Sequence, residues 1–133
     1  MRTFVDTSAL YAMLDENDAN HGRAARWMSG PGRDLERTLI THSYVVVESA
    51  ALVKRRLGTA AVRALLDALV PALATVYVDE PLHHAAVIGF RGAANRKASF
   101  VDWVSFQLMR EASIEEAFAF DSDFRAQGFR LVA

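Results

Sequence analysis

Short apolar runs alternate along this chain with longer stretches whose apolar residues recur at helical spacing. Thr3-Phe4-Val5 is the first such run; it halts at Asp6 and reads as a strand. Ser8 to Leu14 reads as a helix, and the polar Asp15-Glu16-Asn17-Asp18-Ala19-Asn20 as a loop. His21 to Met28, carrying Ala24, Ala25, Trp27 and Met28, is a second helix, broken by Gly30-Pro31-Gly32. Leu39-Ile40-Thr41 is a second strand. Ser43 to Leu57 follows as a long helix closed by Gly58. Thr59 is placed to cap the next helix, where Val62, Leu65, Leu66 and Leu69 recur before Pro71. Ala74 to Val78, β-branched and aromatic, is a third strand. A helix from about Pro81 to Ala93 leads to a basic loop, Asn95-Arg96-Lys97, and Ser99 opens a helix to about Ala112. Ala117 to Phe120 is a fourth strand that stops at Asp121. A short helix and a fifth strand or edge piece, Phe129 to Val132, complete the chain.

Strands that alternate with helices imply a parallel sheet covered on both faces, an α/β fold with four to five strands. The 133 residues suit one domain, 1–133, with no repeat or linker inside it. Hydrophobic residues make up 52% of the chain, enough to fill a core of that size. The absence of cysteine excludes disulfides, thiolate metal sites and cysteine nucleophiles. No apolar stretch approaches the ~20 residues of a membrane span. Met1 to Asp6 lacks the apolar core of a signal peptide. The expectation is therefore a soluble cytoplasmic protein with no membrane partner. A net charge of −1 argues against gripping nucleic acid by bulk positive charge, although bound cations would invert the local field.

The chemistry-bearing pattern is a set of acids that the winding should bring together. Sites in open parallel sheets form at the carboxyl ends of the strands. Asp6 follows the first strand and Asp121 the fourth. Glu48 lies in the second turn of the helix after the second strand, among Tyr44, Val45, Ala51 and Leu52. Asp102 lies in the first turn of the helix that leads into the fourth strand, spaced from Ser99 as a capping box. All four should meet at one edge. Ordinary roles exist for each: turn former or cap for Asp6 and Asp121, cap for Asp102, an arginine partner for Glu48. Crowded carboxylates are relieved by protonation or by a cation, and all-oxygen ligands suit Mg²⁺ or Mn²⁺ better than zinc.

These segments resemble the PIN-domain family, in particular the ribonuclease toxins of VapBC toxin–antitoxin systems. The resemblance runs over essentially the whole chain. It rests on Phe4-Val5-Asp6-Thr7-Ser8-Ala9-Leu10, on Glu48 within Ser43 to Ala50, on Asp102 within Ser99 to Phe106, and on Asp121 within Ala119 to Phe124, followed by Gly128-Phe129. It implies a three-layer α/β/α sandwich and a four-acid Mg²⁺ or Mn²⁺ site built from Asp6, Glu48, Asp102 and Asp121. It also implies endonucleolytic cleavage of RNA, a homodimeric toxin and inhibition by a cognate VapB-like antitoxin. Asp123 competes with Asp121 for the fourth position or adds to it. Ser8 stands ready to orient a water or a carboxylate, or simply to cap its helix.

Arg91, Arg96 and Lys97 precede the Asp102 helix and are the candidate phosphate contacts; a solvated loop is the plain alternative. Arg55 and Arg56 end their helix, where the dipole favours cations. His21, His42, His83 and His84 lack the spacing of a zinc protease, so surface or capping roles are expected of them. Trp27 and Trp103 are expected in the core or at an interface. Rival readings are an aspartyl-phosphate phosphatase, which needs an acid two residues after the first where this chain has Ser8, a non-toxin RNA-processing nuclease of the same fold, and a noncatalytic RNA- or protein-binding module.

Overall fold

A computed structural model describes residues 1–93 and 96–133. Asn95 of the expected basic loop lies outside the described residues. The strands are β1 (Arg2–Val5), β2 (Thr38–His42), β3 (Ala74–Val76), β4 (Glu116–Phe118) and β5 (Arg130–Leu131). The helices are α1 (Thr7–Leu14), α2 (His21–Ser29), α3 (Ser43–Leu57), α4 (Thr59–Ala64), α5 (Glu80–Gly92), α6 (Phe100–Glu111) and α7 (Asp123–Ala126). The five strands form one parallel sheet in the order β3-β2-β1-β4-β5. The α/β class and the parallel sheet agree with the expectation.

The apolar runs become strands because both faces of the sheet are covered. Phe4, Val5, Ala117 and Phe118 are buried at its centre, and Thr3 and Thr41 are buried with them. Thr41 satisfies its hydroxyl by donating to the Val5 carbonyl. Helical spacing builds the layers: Ala9, Leu10 and Ala12 of α1, Val45 and Val53 of α3, and Val104, Phe106, Leu108 and Met109 of α6 all enter one core. Trp27 is buried with its ring 4.4 Å from that of Phe118, which places it in the core as expected. Trp103 packs where Gly89 leaves room; a Cβ at Gly89 would come within 2.7 Å of the indole. Among the described residues no helix is long and apolar enough to cross a membrane.

Several boundaries differ from the periodicity. Gly58, with φ of +91°, is the N-cap of α4, so Thr59 is the first helical residue and does not cap. A positive φ suits glycine, which has no Cβ to clash. After Ala64 the helix widens into a π turn over Leu65–Leu69, which the apolar spacing does not signal. β4 ends at Phe118, so Ala119 and Phe120 separate it from Asp121.

The strand order has a functional consequence. From β1 the chain winds outward through β2 and β3, then returns to lay β4 on the other side of β1. β1 and β4 therefore flank the point where the winding reverses, and the helices that follow them diverge there. In open parallel sheets, sites form at such a switch point, outside the carboxyl ends of the strands.

Candidate metal centre

Asp6 is the residue immediately after β1, and it is buried. It serves as the N-cap of α1: its Oδ2 accepts from the Ser8 amide at 3.1 Å and from the Ser8 hydroxyl at 2.7 Å. Ser8 is thus the second residue of the helix and not its cap. Its hydroxyl also accepts from the Phe120 amide at 2.9 Å. One side chain therefore ties the first acid to the segment that carries Asp121.

Asp102 occupies the third position of α6 in a complete capping box. Its Oδ2 accepts from the Ser99 amide at 2.9 Å, and its own amide donates to the Ser99 hydroxyl at 3.1 Å. Asp121 accepts from the Asp123 amide at 2.9 Å. That bond turns the chain into α7 and sets two carboxylates side by side.

Oxygens of Asp102, Asp121 and Asp123 can be chosen that all lie within 4.8 Å of one another. Two oxygens on opposite sides of one Mg²⁺ are about 4.2 Å apart, given bonds near 2.1 Å. Separations of this order are compatible with one shared ion. Asp121 and Asp123 both stand beside Asp102. Asp6 and Glu48 lie outside this trio but face it. Burial is the main cause that pushes the Asp6 carboxyl up to about 6, against the two Ser8 bonds, and the charges of Asp121 and Glu48 add to it. Burial likewise pushes Asp102 up to about 7, reinforced by the charges of Asp6 and Asp121. Asp123 is also raised, by burial and by Asp121, while Lys97 opposes the rise.

Glu48 is half-buried, not enclosed in an apolar face as its neighbours suggested. Ala51, one turn on, is exposed and leaves that side of α3 open. Among the described residues no arginine pairs with Glu48, which removes the salt-bridge alternative. Among the described residues the base paired with these acids is Lys97, whose Nζ lies 4.0 Å from an Asp123 oxygen. Arg91 and Arg96 are exposed and form no ion pair among the described residues.

The donor set fits a hard divalent cation. It is all carboxylate, Asp102 and Asp123 are raised in part by the charge of Asp121, and among the described residues no guanidinium pairs with it. Zinc would call for imidazole or thiolate, and neither is in the trio. Of the histidines, His42 is buried and caps α3, His83 is bonded to the Tyr44 hydroxyl at 2.7 Å, and His84 is exposed. His21 holds the Ala12 carbonyl at 2.7 Å.

A family model described as "PIN domain" matches residues 3–130. This chain belongs to the PIN-domain family. A curated relative from Mycobacterium tuberculosis, the 23S rRNA-specific endonuclease VapC20, is 38% identical over 128 residues, which is 95% of this chain and 94% of the relative. The crystal structure of M. tuberculosis VapC20, described as a sarcin–ricin-loop-cleaving toxin, superposes with a TM-score of 0.83 at 36% identity. It covers 96% of this PIN domain and 95% of that chain. The FitAcB structure from Neisseria gonorrhoeae shares the fold at a TM-score of 0.72 and 15% identity, over 100% of this chain and 97% of that one. The three-layer sandwich anticipated from the resemblance is thus the fold of the family.

Proposed function

We propose that this PIN domain is a divalent-cation-dependent endoribonuclease, the toxin of a VapBC-type toxin–antitoxin pair acting in the cytoplasm. The observation that supports the reading is the grouping of Asp102, Asp121 and Asp123, with Asp6 and Glu48 close enough to interact by charge and, among the described residues, no arginine paired with any of them. Mg²⁺ or Mn²⁺ held by Asp102, Asp121 and Asp123, with Asp6 and Glu48 completing the site directly or through water, would supply an activated water and neutralise charge on the phosphate.

The chain's own residues do the positioning. Ser8 orients the Asp6 carboxylate and ties it to the Phe120 segment. Ser99 fixes Asp102 from both ends of the capping box. Lys97 sits at the rim, where it would meet a phosphate; Arg91 and Arg96 extend the cationic approach from the same stretch. The relative VapC20 makes 23S rRNA, and its sarcin–ricin loop in particular, the first substrate to test. A VapB-like antitoxin and a second copy of the chain are the proposed protein partners. Val47 of α3 and Leu66 beyond α4 are exposed apolar residues on the surface where the helical pattern places such contacts.

The experiment is cleavage of 23S rRNA by the purified chain with Mg²⁺ or Mn²⁺ and with chelator, alongside Asp6→Asn. Cleavage that needs the metal and disappears in the variant supports the reading. Failure to cut any RNA with either ion removes it.

A further inference from the structure

His42 is fully buried, and the chemistry proposed above does not use it. It ends β2 and caps α3: its Nδ1 accepts from the Tyr44 amide at 3.2 Å and the Val45 amide at 3.3 Å. Serine, threonine, aspartate or asparagine would cap as well. What imidazole adds is a second nitrogen facing away from the first. Because Nδ1 is an acceptor, the neutral ring carries its proton on Nε2, and that proton is donated to the Ser105 hydroxyl of α6 at 2.8 Å. The Ser105 hydroxyl in turn donates to the Val101 carbonyl at 3.1 Å. Burial pushes the imidazole down to about 4, so the ring stays neutral across the physiological range.

The bonded points lie one helical turn from the acids. Glu48 is four residues after Tyr44 and three after Val45, so it shares their face of α3; Ser105 is three residues after Asp102 and shares its face of α6. One rigid ring thus connects the faces of the two helices that carry Glu48 and Asp102. We propose that His42 is a positioning residue that braces α3 against α6 through Ser105 and so sets the separation of Glu48 and Asp102 for cation binding. This rests on the metal-site reading above.

The test uses the full chain with Ser105→Ala, which removes the brace and leaves the cap, and His42→Asn, which keeps a cap but is too short to reach α6. Mn²⁺ affinity is measured by titration calorimetry, with kcat and KM on RNA. Supporting groups behind metal ligands typically alter affinity by 10–100-fold, so a brace one step further back is expected to weaken Mn²⁺ binding about five- to tenfold in each variant. The same loss is expected in kcat, with KM for RNA unchanged. The double variant should be no worse than the weaker single one, because both substitutions cut one connection. Variants that melt earlier yet bind Mn²⁺ like the parent would overturn the brace and leave a purely structural histidine. Additive losses would overturn it too. If His42→Asn does not fold, Ser105→Ala decides alone. A parent chain that binds no Mn²⁺ sinks the metal site and the brace together, whereas a binding parent with an indifferent Ser105→Ala sinks the brace only.

Discussion

Both ends of the same sheet bury carboxylates, and they treat them in opposite ways. At the amino end Glu116 is enclosed, and it accepts from the Thr3 hydroxyl at 2.6 Å and from the guanidinium groups of Arg37 and Arg130. Burial alone would raise Glu116, but the bonds from Thr3, Arg130 and Arg37 together hold it below its ordinary value. At the carboxyl end Asp6 and Asp102 are raised to about 6 and about 7, and among the described residues the base paired with the acids there is a single exposed lysine. An acid that the fold needs is paired from within the chain. The acids at the carboxyl end keep raised proton affinities, and on our proposal a cation from outside completes them.

The comparison can be broken most sharply by one substitution applied at each end. Asp6→Asn keeps a side-chain oxygen for the Ser8 bonds but removes a charge from the cluster. Metal-dependent cleavage should fall by about a thousandfold or more, the loss of several kcal/mol of transition-state stabilisation. The same variant should melt higher than the parent in metal-free buffer at pH 7.5, by about 1–3 kcal/mol in stability, because it ends the cost of burying a charged carboxylate, to which the charges of Asp121 and Glu48 add. Parent-like activity would remove Asp6 from the chemistry. Glu116→Gln, the matching change at the other end, should cost about 3–5 kcal/mol in chemical denaturation by stranding Arg37, while kcat stays unchanged at a permissive temperature.

The pH dependence should also differ in sign. Between the ordinary aspartate value of 3.8 and the folded values near 6 and 7, the native protein binds more protons than the unfolded chain at Asp6 and Asp102. Metal-free stability therefore falls as pH rises through that window, by an amount on the order of a few kcal/mol. Saturating Mn²⁺ at pH 7.5 should restore it, about 2.7 kcal/mol at a hundredfold excess over Kd. Glu116 contributes the reverse: its stabilisation is present above its unfolded value and is lost as pH falls through its lowered folded value. Metal-free thermal scans from pH 3 to pH 8 read both slopes. A flat profile from pH 4 to pH 7 would contradict the raised carboxyls of Asp6 and Asp102.

Two smaller effects sharpen the picture. Ser8→Ala removes bonds to Asp6 and to the Phe120 amide, and should cost about 1–2 kcal/mol with roughly a tenfold drop in kcat. Lys97→Ala removes a side chain that is 73% exposed, so stability should change by less than about 0.5 kcal/mol. Its effect on cleavage should be a few-fold at low salt and vanish at high salt, as screening requires. A salt-independent loss would give Lys97 a different role.

Much of this was legible in the linear order of residues. Alternation of apolar runs with helical periodicity located all five strands and placed α3 at Ser43–Leu57, because secondary structure follows local spacing. Ser99 and Asp102 announced the start of α6 by their three-residue spacing, and Asp6 announced the end of β1 by interrupting an apolar run. Less accessible were facts that depend on distant partners. Glu48 looked enclosed from its helical neighbours, yet α3 leaves one side open. Ser8 looked like a cap, but Asp6 takes that place and frees the Ser8 hydroxyl to reach Phe120, 112 residues away.

The chain by itself determined which residues are strands and helices, and that the acids lie at strand and helix ends, since both depend on interactions among near neighbours. Only the tertiary structure decided that β4 returns beside β1, that Asp123 joins Asp102 and Asp121, and that, among the described residues, Glu116 receives arginines while Asp6 does not. Strand order and side-chain pairing are set by packing between segments far apart in the chain, and periodicity within a segment carries no record of which partner it meets.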